Sequence, residues 1–118
     1  MSERTRKIES QLREIVSEQV ASLSDPRING LVTVTAARVS PDIAQATIFY
    51  SVLDGEDETS AHEGLQSAAG RIQSAVGSQT HTKRTPRLRF EPDPVIEQAN
   101  KIDAALKEVQ QSDHADHR

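Results

Sequence analysis

Five cations stand in a stretch that contains no acid. From Gly64 to Phe90 the chain reads GLQSAAGRIQSAVGSQTHTKRTPRLRF, with Arg71, Lys83, Arg84, Arg87 and Arg89 and neither Asp nor Glu. The stretch carries +5 while the 118-residue chain carries -4, so the remaining residues hold -9. Charge segregated in this way is the footprint of an anionic partner. Arginine offers phosphate a planar fork of two parallel hydrogen bonds, which a lysine ammonium lacks. Phosphate recognition is therefore the chemistry these residues fit, with Arg84 and Arg87 as the first contacts. A solvated basic face with no ligand is the competing explanation. Four of the five cations fall between Lys83 and Arg89, beside a strand-like Leu88 and Phe90. That ordered setting favours a ligand. At the other end of the chain Arg4, Arg6 and Lys7 cluster where a helix begins. Cations there oppose the macrodipole by a few tenths of a kcal/mol up to ~1 kcal/mol. They are either solvated charges or an extension of the anion-binding surface, and Arg4 and Lys7 join the candidate contacts.

Other chemistries find little support. There is no cysteine, so thiolate catalysis, disulfides and Cys-ligated metal are excluded. The acidic run Asp54 to Glu58 fails as an EF-hand loop, because Thr59 and Leu65 occupy the positions that require Gly and Glu. His62 and His81 belong to no recognised catalytic motif. His114 and His117 sit in a polar tail with no scaffold to fix ligand geometry. No catalytic residues, metal or cofactor are expected. Three aromatics, Phe49, Tyr50 and Phe90, cannot build a base-stacking platform. Tyr50 and Phe90 read as core, which leaves Phe49 as the one candidate for an exposed ring. A nucleic acid would accordingly be held by its phosphates and its shape.

The elements that position these residues follow from hydrophobic period. Ile8, Leu12, Ile15, Val16, Val20 and Leu23 trace one stripe of a helix from Arg4 to Ser24, stopped by Asp25-Pro26. Asn29-Gly30 supplies a turn. Leu31 to Val39 is β-branched, and its change of parity calls for a β-bulge near Ala36. Ser40-Pro41-Asp42 is a tight connection to a second strand, in which Ala44, Ala46, Ile48, Tyr50 and Val52 alternate with polar neighbours. The short link makes the pair an antiparallel hairpin. Ser60 and Glu63 fit a capping box opening a second helix with Ala61, Leu65, Ala68, Ile72, Ala75 and Val76 on one face. Ala68-Ala69-Gly70 within it marks either a kink that exposes backbone amides to phosphate or a close helix–sheet contact. Gly77 is placed to end that helix in the left-handed conformation. Arg87-Leu88-Arg89-Phe90 alternates as a third strand, arginines on one face and apolar residues on the other. Asp93-Pro94 reads as N-cap and first residue of a third helix carrying Val95, Ala99, Ile102, Leu106 and Val109. Residues 111–118 read as a disordered tail behind a single domain over 1–110. The order is helix, strand, strand, broken helix, strand, helix: an α+β two-layer sandwich. The opening MSERTRKIES lacks the apolar core of a secretory signal, and no run is long enough to span a membrane, so a cytoplasmic location is expected.

Three stretches carry a resemblance: DPRINGLVTVTAARVSPDIAQATIFYSV (Asp25 to Val52), AAGRIQSAVG (Ala68 to Gly77) and KRTPRLRF (Lys83 to Phe90). The run S-P-D-x-x-x-A-x-I joined to R-x-P-x-L-x-F downstream resembles the ribosome-binding factor A family of bacteria, over roughly Arg4 to Leu106. The resemblance implies a fold similar to a type II KH domain, with Ala68-x-Gly70 breaking the helix where an ordinary KH domain carries G-x-x-G. It implies an assembly factor without catalytic activity that binds the small (30S) ribosomal subunit late in maturation. Effects on 16S rRNA 5′-end processing and on growth in the cold would follow. The expected partners are 16S rRNA and the small subunit, with no membrane and no small-molecule substrate, the protein acting as a monomer. The RNA contacts would be Ala68, Gly70, Arg71, Lys83, Arg84, Arg87 and Arg89, with Arg4 and Lys7. A nuclease acting on precursor rRNA and a protein-docking module are the rival readings.

Overall fold

Described in the computed structural model are residues 3–53, 58–80, 85–96, 98–99, 102 and 105–106. Lys83, Arg84, His81, residues 54–57 of the acidic run and the 111–118 tail lie outside them. Helix α1 spans Glu3–Ser22, strand β1 Val32–Val39, strand β2 Gln45–Val52, helix α2 Glu58–Gln79 and strand β3 Arg87–Pro92. The sheet runs β1-β2-β3, antiparallel between β1 and β2 and parallel between β2 and β3, with α2 as the crossover. Both helices lie on one face of it. Their inner stripes (Leu12, Ile15, Val16, Val20; Leu65, Ile72, Val76) close one core with Val34, Ala37, Ala46, Ile48, Tyr50 and Phe90. This is the α+β two-layer sandwich that the apolar periods predict.

The hairpin follows its sequence closely. The register between β1 and β2 shifts between Val34 and Ala36, which leaves Thr35 as the bulged residue. Gly30 adopts φ +76°, as the third residue of a turn closed by the Leu31 N–H on the Ile28 carbonyl (2.8 Å). At the hairpin, the Ile43 N–H meets the Ser40 carbonyl at 2.8 Å. Ile43 itself is left-handed at φ 58°, a conformation that L residues reach at a cost of roughly 1–2 kcal/mol. Nothing in the sequence announces it.

Four local expectations are corrected. Helix α2 does not break: it is helical without interruption from Glu58 through Gly70 to Gln79. One mid-helix glycine costs about 1 kcal/mol, and the buried stripe of Leu65, Ile72 and Val76 outweighs it. The helix also starts earlier than the capping box proposes, with Glu58 in the first turn, where an acid suits the macrodipole, and Ser60 already inside. Gly77 is helical as well. The helix ends two residues later, where Thr80 returns both its N–H (3.0 Å) and its hydroxyl (2.8 Å) to the Val76 carbonyl. The third helix starts as expected: Asp93 Oδ1 accepts the Val95 N–H at 2.9 Å, and residues 94–96 are helical. Among the described residues its apolar stripe, however, adds nothing to the core, since Val95, Ile102 and Leu106 are 73%, 53% and 56% exposed; Val109 lies outside them.

Each outer strand has an outward amide capped by a helix side chain. Glu9 of α1, itself buried, accepts the Val39 N–H of β1 through Oε2 at 2.9 Å. Gln73 of α2 accepts the Leu88 N–H of β3 at 2.9 Å and donates to the Pro86 carbonyl. Unpaired edges invite a further strand, and these caps, with the bulge, withdraw part of each edge from pairing.

Candidate nucleic-acid interface

The sheet face opposite the helices carries the cations of β3. Arg87 and Arg89 are exposed, while Leu88 and Phe90, which alternate with them, turn to the core. Strand pairing then decides their neighbours. Arg38, Thr47 and Arg89 are paired in one row across all three strands, and Gln45 lies beside Arg87 in the next. Ala36, Phe49 and Glu91 form a third row, which places the half-buried Phe49 ring on this face. Tyr50 and Phe90 are core, as expected.

Arg87 is the best held of these cations. Its own N–H donates to the Ala44 carbonyl of the hairpin at 2.9 Å. The Gln73 side chain grips the backbone on both sides of it, at Pro86 and Leu88. Arg89 shares its charge with Glu91, Nε to Oε1 3.1 Å, an exposed pair worth about 0–1 kcal/mol. Among the described residues Arg87 has no ion-pair partner. It can offer its whole fork to a phosphate.

The remaining candidates among the described residues, Arg71, Gly70, Ala68, Arg4 and Lys7, lie on the helices and not on that face. Arg71 is exposed on α2, in the helical layer, beside a hollow formed with Leu23, Ser24, Asp25, Gly64, Ser67 and Ala68. Asp25 there is already engaged: the Arg27 guanidinium grips both carboxylate oxygens (2.6–3.2 Å) and holds its pKa below the usual range. Gly70 is exposed one position before Arg71, and a Cβ on it would meet nothing within 4 Å. The helix thus runs on through Gly70, which makes no packing contact. The close contact belongs to Gly64, where a Cβ would come within 2.9 Å of the Ile28 side chain. Ala68 does pack, half-buried against the core. Arg4 and Lys7 are exposed on α1; at about 100° per residue they fall on the flank away from Arg6 and Arg13. Among the described residues the cations therefore divide among several surfaces, and Arg71 does not share a face with Arg87 and Arg89.

Arg38 is the residue that sequence reasoning missed on the open face. Its signal was available, since after the bulge it alternates with the buried Ala37. Asp93 borders the same region. Thr35, swung out by the bulge, donates its hydroxyl to Asp93 Oδ2 at 2.6 Å. That bond, then the N–H groups of Val95 and Ile96 and the charge of Arg38, hold the Asp93 pKa below its usual value against a smaller opposing effect of burial. His62 has a structural partner instead of a catalytic one, with Nδ1 2.9 Å from the buried Tyr50 hydroxyl.

Comparison with known proteins adds the lineage. The family model described as ribosome-binding factor A matches residues 4–106. The chain belongs to the ribosome-binding factor A family. A ribosome-binding factor A of Rubrobacter xylanophilus is 64% identical over 110 residues, spanning 93% of this chain and 90% of the relative. Among solved structures, the crystal structure of ribosome-binding factor A from Thermus thermophilus superposes with a TM-score of 0.69 at 31% identity, covering 75% of this chain and 93% of that one. A second Thermus thermophilus structure, a homology model fitted into the cryo-EM map of a 30S complex, gives a TM-score of 0.59 at 30% identity, covering 70% and 88%. Family membership accounts for the three-stranded sheet with its helices.

Proposed function

We propose that this member of the family binds the small (30S) ribosomal subunit late in its maturation, in the cytoplasm and as a monomer. In this reading it influences 5′-end processing of 16S rRNA and growth in the cold without catalysing a reaction. The observation that carries the proposal is the relative described as part of a 30S complex, whose fold this chain shares. The physical basis is phosphate recognition by arginines held on ordered strands. Arg87 leads the contact set, beside Arg89 and Arg38 on the open sheet face. Lys83 and Arg84 precede the same strand. Ala68, Gly70 and Arg71 offer a separate contact on α2, and Arg4 and Lys7 a third on α1. With Phe49 as the single ring on the open face, phosphate and shape recognition outweigh base stacking, which supplies about 1–3 kcal/mol per base where platforms exist.

Co-sedimentation with purified small subunits tests the proposal. The wild-type chain pellets with subunits at moderate salt, and the Arg87→Glu/Arg89→Glu variant stays in the supernatant. Failure of the wild type to pellet overturns the ribosomal function. Retention of the variant overturns the assignment of the open face.

A further inference from the structure

A groove of about 510 Å³ runs between α1 and the outer edge of β1, lined by Arg6, Ser10 and Arg13 from the helix and Arg38 from the strand, with Glu9 between them. Arg6 and Arg13 are seven residues apart, about two turns, so both point to the same side of α1. Glu9 is spoken for, being 8% exposed and bonded to the Val39 N–H. Among the described residues neither Arg6 nor Arg13 forms an ion pair. Arg38 gives one N–H to the Ala37 carbonyl at 3.0 Å and keeps the rest of its fork. The lining holds three guanidinium groups and one carboxylate, a formal +2, and the Asp93 carboxylate bonded to Thr35 at its border still leaves +1 in a chain of net -4.

The edge of β1 restricts what can lie there. A peptide adding a strand would need the outward amides and carbonyls of β1. Glu9 already takes the Val39 N–H, Arg38 takes the Ala37 carbonyl, and Thr35 is out of register. What the groove still offers is side-chain charge, which suits a polyanion. Through Arg38 it is continuous with the row Arg38–Thr47–Arg89 on the open sheet face. A nucleic-acid strand lying along that row would continue into this groove.

We infer that the α1–β1 groove is a second RNA contact, in which Arg6, Arg13 and Arg38 hold the phosphodiester backbone. The inference rests on the ribosomal reading only for which RNA is bound. Its test uses the full chain and a short fluorescent RNA duplex, with anisotropy followed from about 50 to about 200 mM salt. The Arg6→Gln/Arg13→Gln variant binds about tenfold more weakly, and its log–log salt slope is shallower by about 1.4–1.8, from roughly 0.7–0.9 per lost contact. Both arginines are exposed on a helix, and Arg6→Lys/Arg13→Lys controls for folding by keeping the wild-type slope. Wild-type affinity and slope in the Gln variant overturn the groove, whatever the subunit assay shows. Loss of slope in the Lys variant as well overturns it, since the charge would not be the cause. Arginine-dependent binding of polyglutamate without binding of RNA overturns it in favour of an acidic protein. Groove-dependent RNA binding without subunit co-sedimentation upholds the groove and removes the ribosomal function.

Discussion

At the scale of single residues, the Thr35–Asp93 bond shows a bulge put to use. Thr35 is the unpaired residue of β1, and its hydroxyl reaches Asp93, which caps the start of the third helix. A carboxylate whose folded-state pKa is depressed contributes stability that is fully present above its unfolded value, about 3.9. That contribution is lost as pH falls through the lower, folded value. Acidification below about pH 4 therefore weakens this tie progressively, while changes between neutral pH and pH 5 leave it intact. Thr35→Ala removes the largest cause of the shift. In a carboxyl NMR titration Asp93 then titrates at higher pH than in the wild type. An unchanged midpoint would mean that the hydroxyl does not set it. Asp93 is only partly buried, so the accompanying loss of stability is small.

At the scale of elements, Gly70 asks why a helix keeps a residue that weakens it. No neighbour lies within 4 Å of a Cβ built there, and the helix continues across it without a break. Gly70→Ala should raise stability by up to about 1 kcal/mol, read as an increase in Tm. If the same variant binds small subunits less well, the missing Cβ leaves room for a ligand approaching the backbone beside Arg71. If stability rises and binding is unchanged, Gly70 has no part in the contact. Gly64 is the contrasting case, because alanine there would press on Ile28, which is buried. The close helix–sheet contact expected at Gly70 is absent; the tight approach lies earlier on the same helix, at Gly64, and is made to Ile28 in the turn before β1.

At the scale of the whole molecule, an acidic chain distributes the cations among its described residues over separate surfaces. Arg87 stands on the open face of the sheet and Arg71 in the helical layer behind it. Contacts that share no partner act independently, so their effects add within about 0.3–0.5 kcal/mol. A double-mutant cycle of Arg71→Gln and Arg87→Gln on subunit binding should show that additivity. A larger coupling would mean that one RNA feature bridges both layers. The third helix adds a further whole-molecule feature, since Val95, Ile102 and Leu106 keep their apolar side chains in solvent although their spacing is that of a packed stripe.

Much was legible in the residues themselves. The helix stripes, the alternation of β2 and β3, the bulge, the Asn29-Gly30 turn, the Asp93 cap and the family likeness all follow from local order. Side-chain direction repeats every 3.6 residues in a helix and every two in a strand, so neighbours in sequence reveal their own faces. Tyr50 and Phe90 could be assigned to the core on that basis, and Arg87 and Arg89 to solvent. Tertiary structure alone decided which faces meet. Pairing across β2 set Arg38 in the row of Arg89, the packing of α1 on β1 brought Arg6 and Arg13 to Arg38, and the layer order parted Arg71 from the sheet arginines. Strand register and helix docking are fixed by contacts between distant segments, and no local period encodes them.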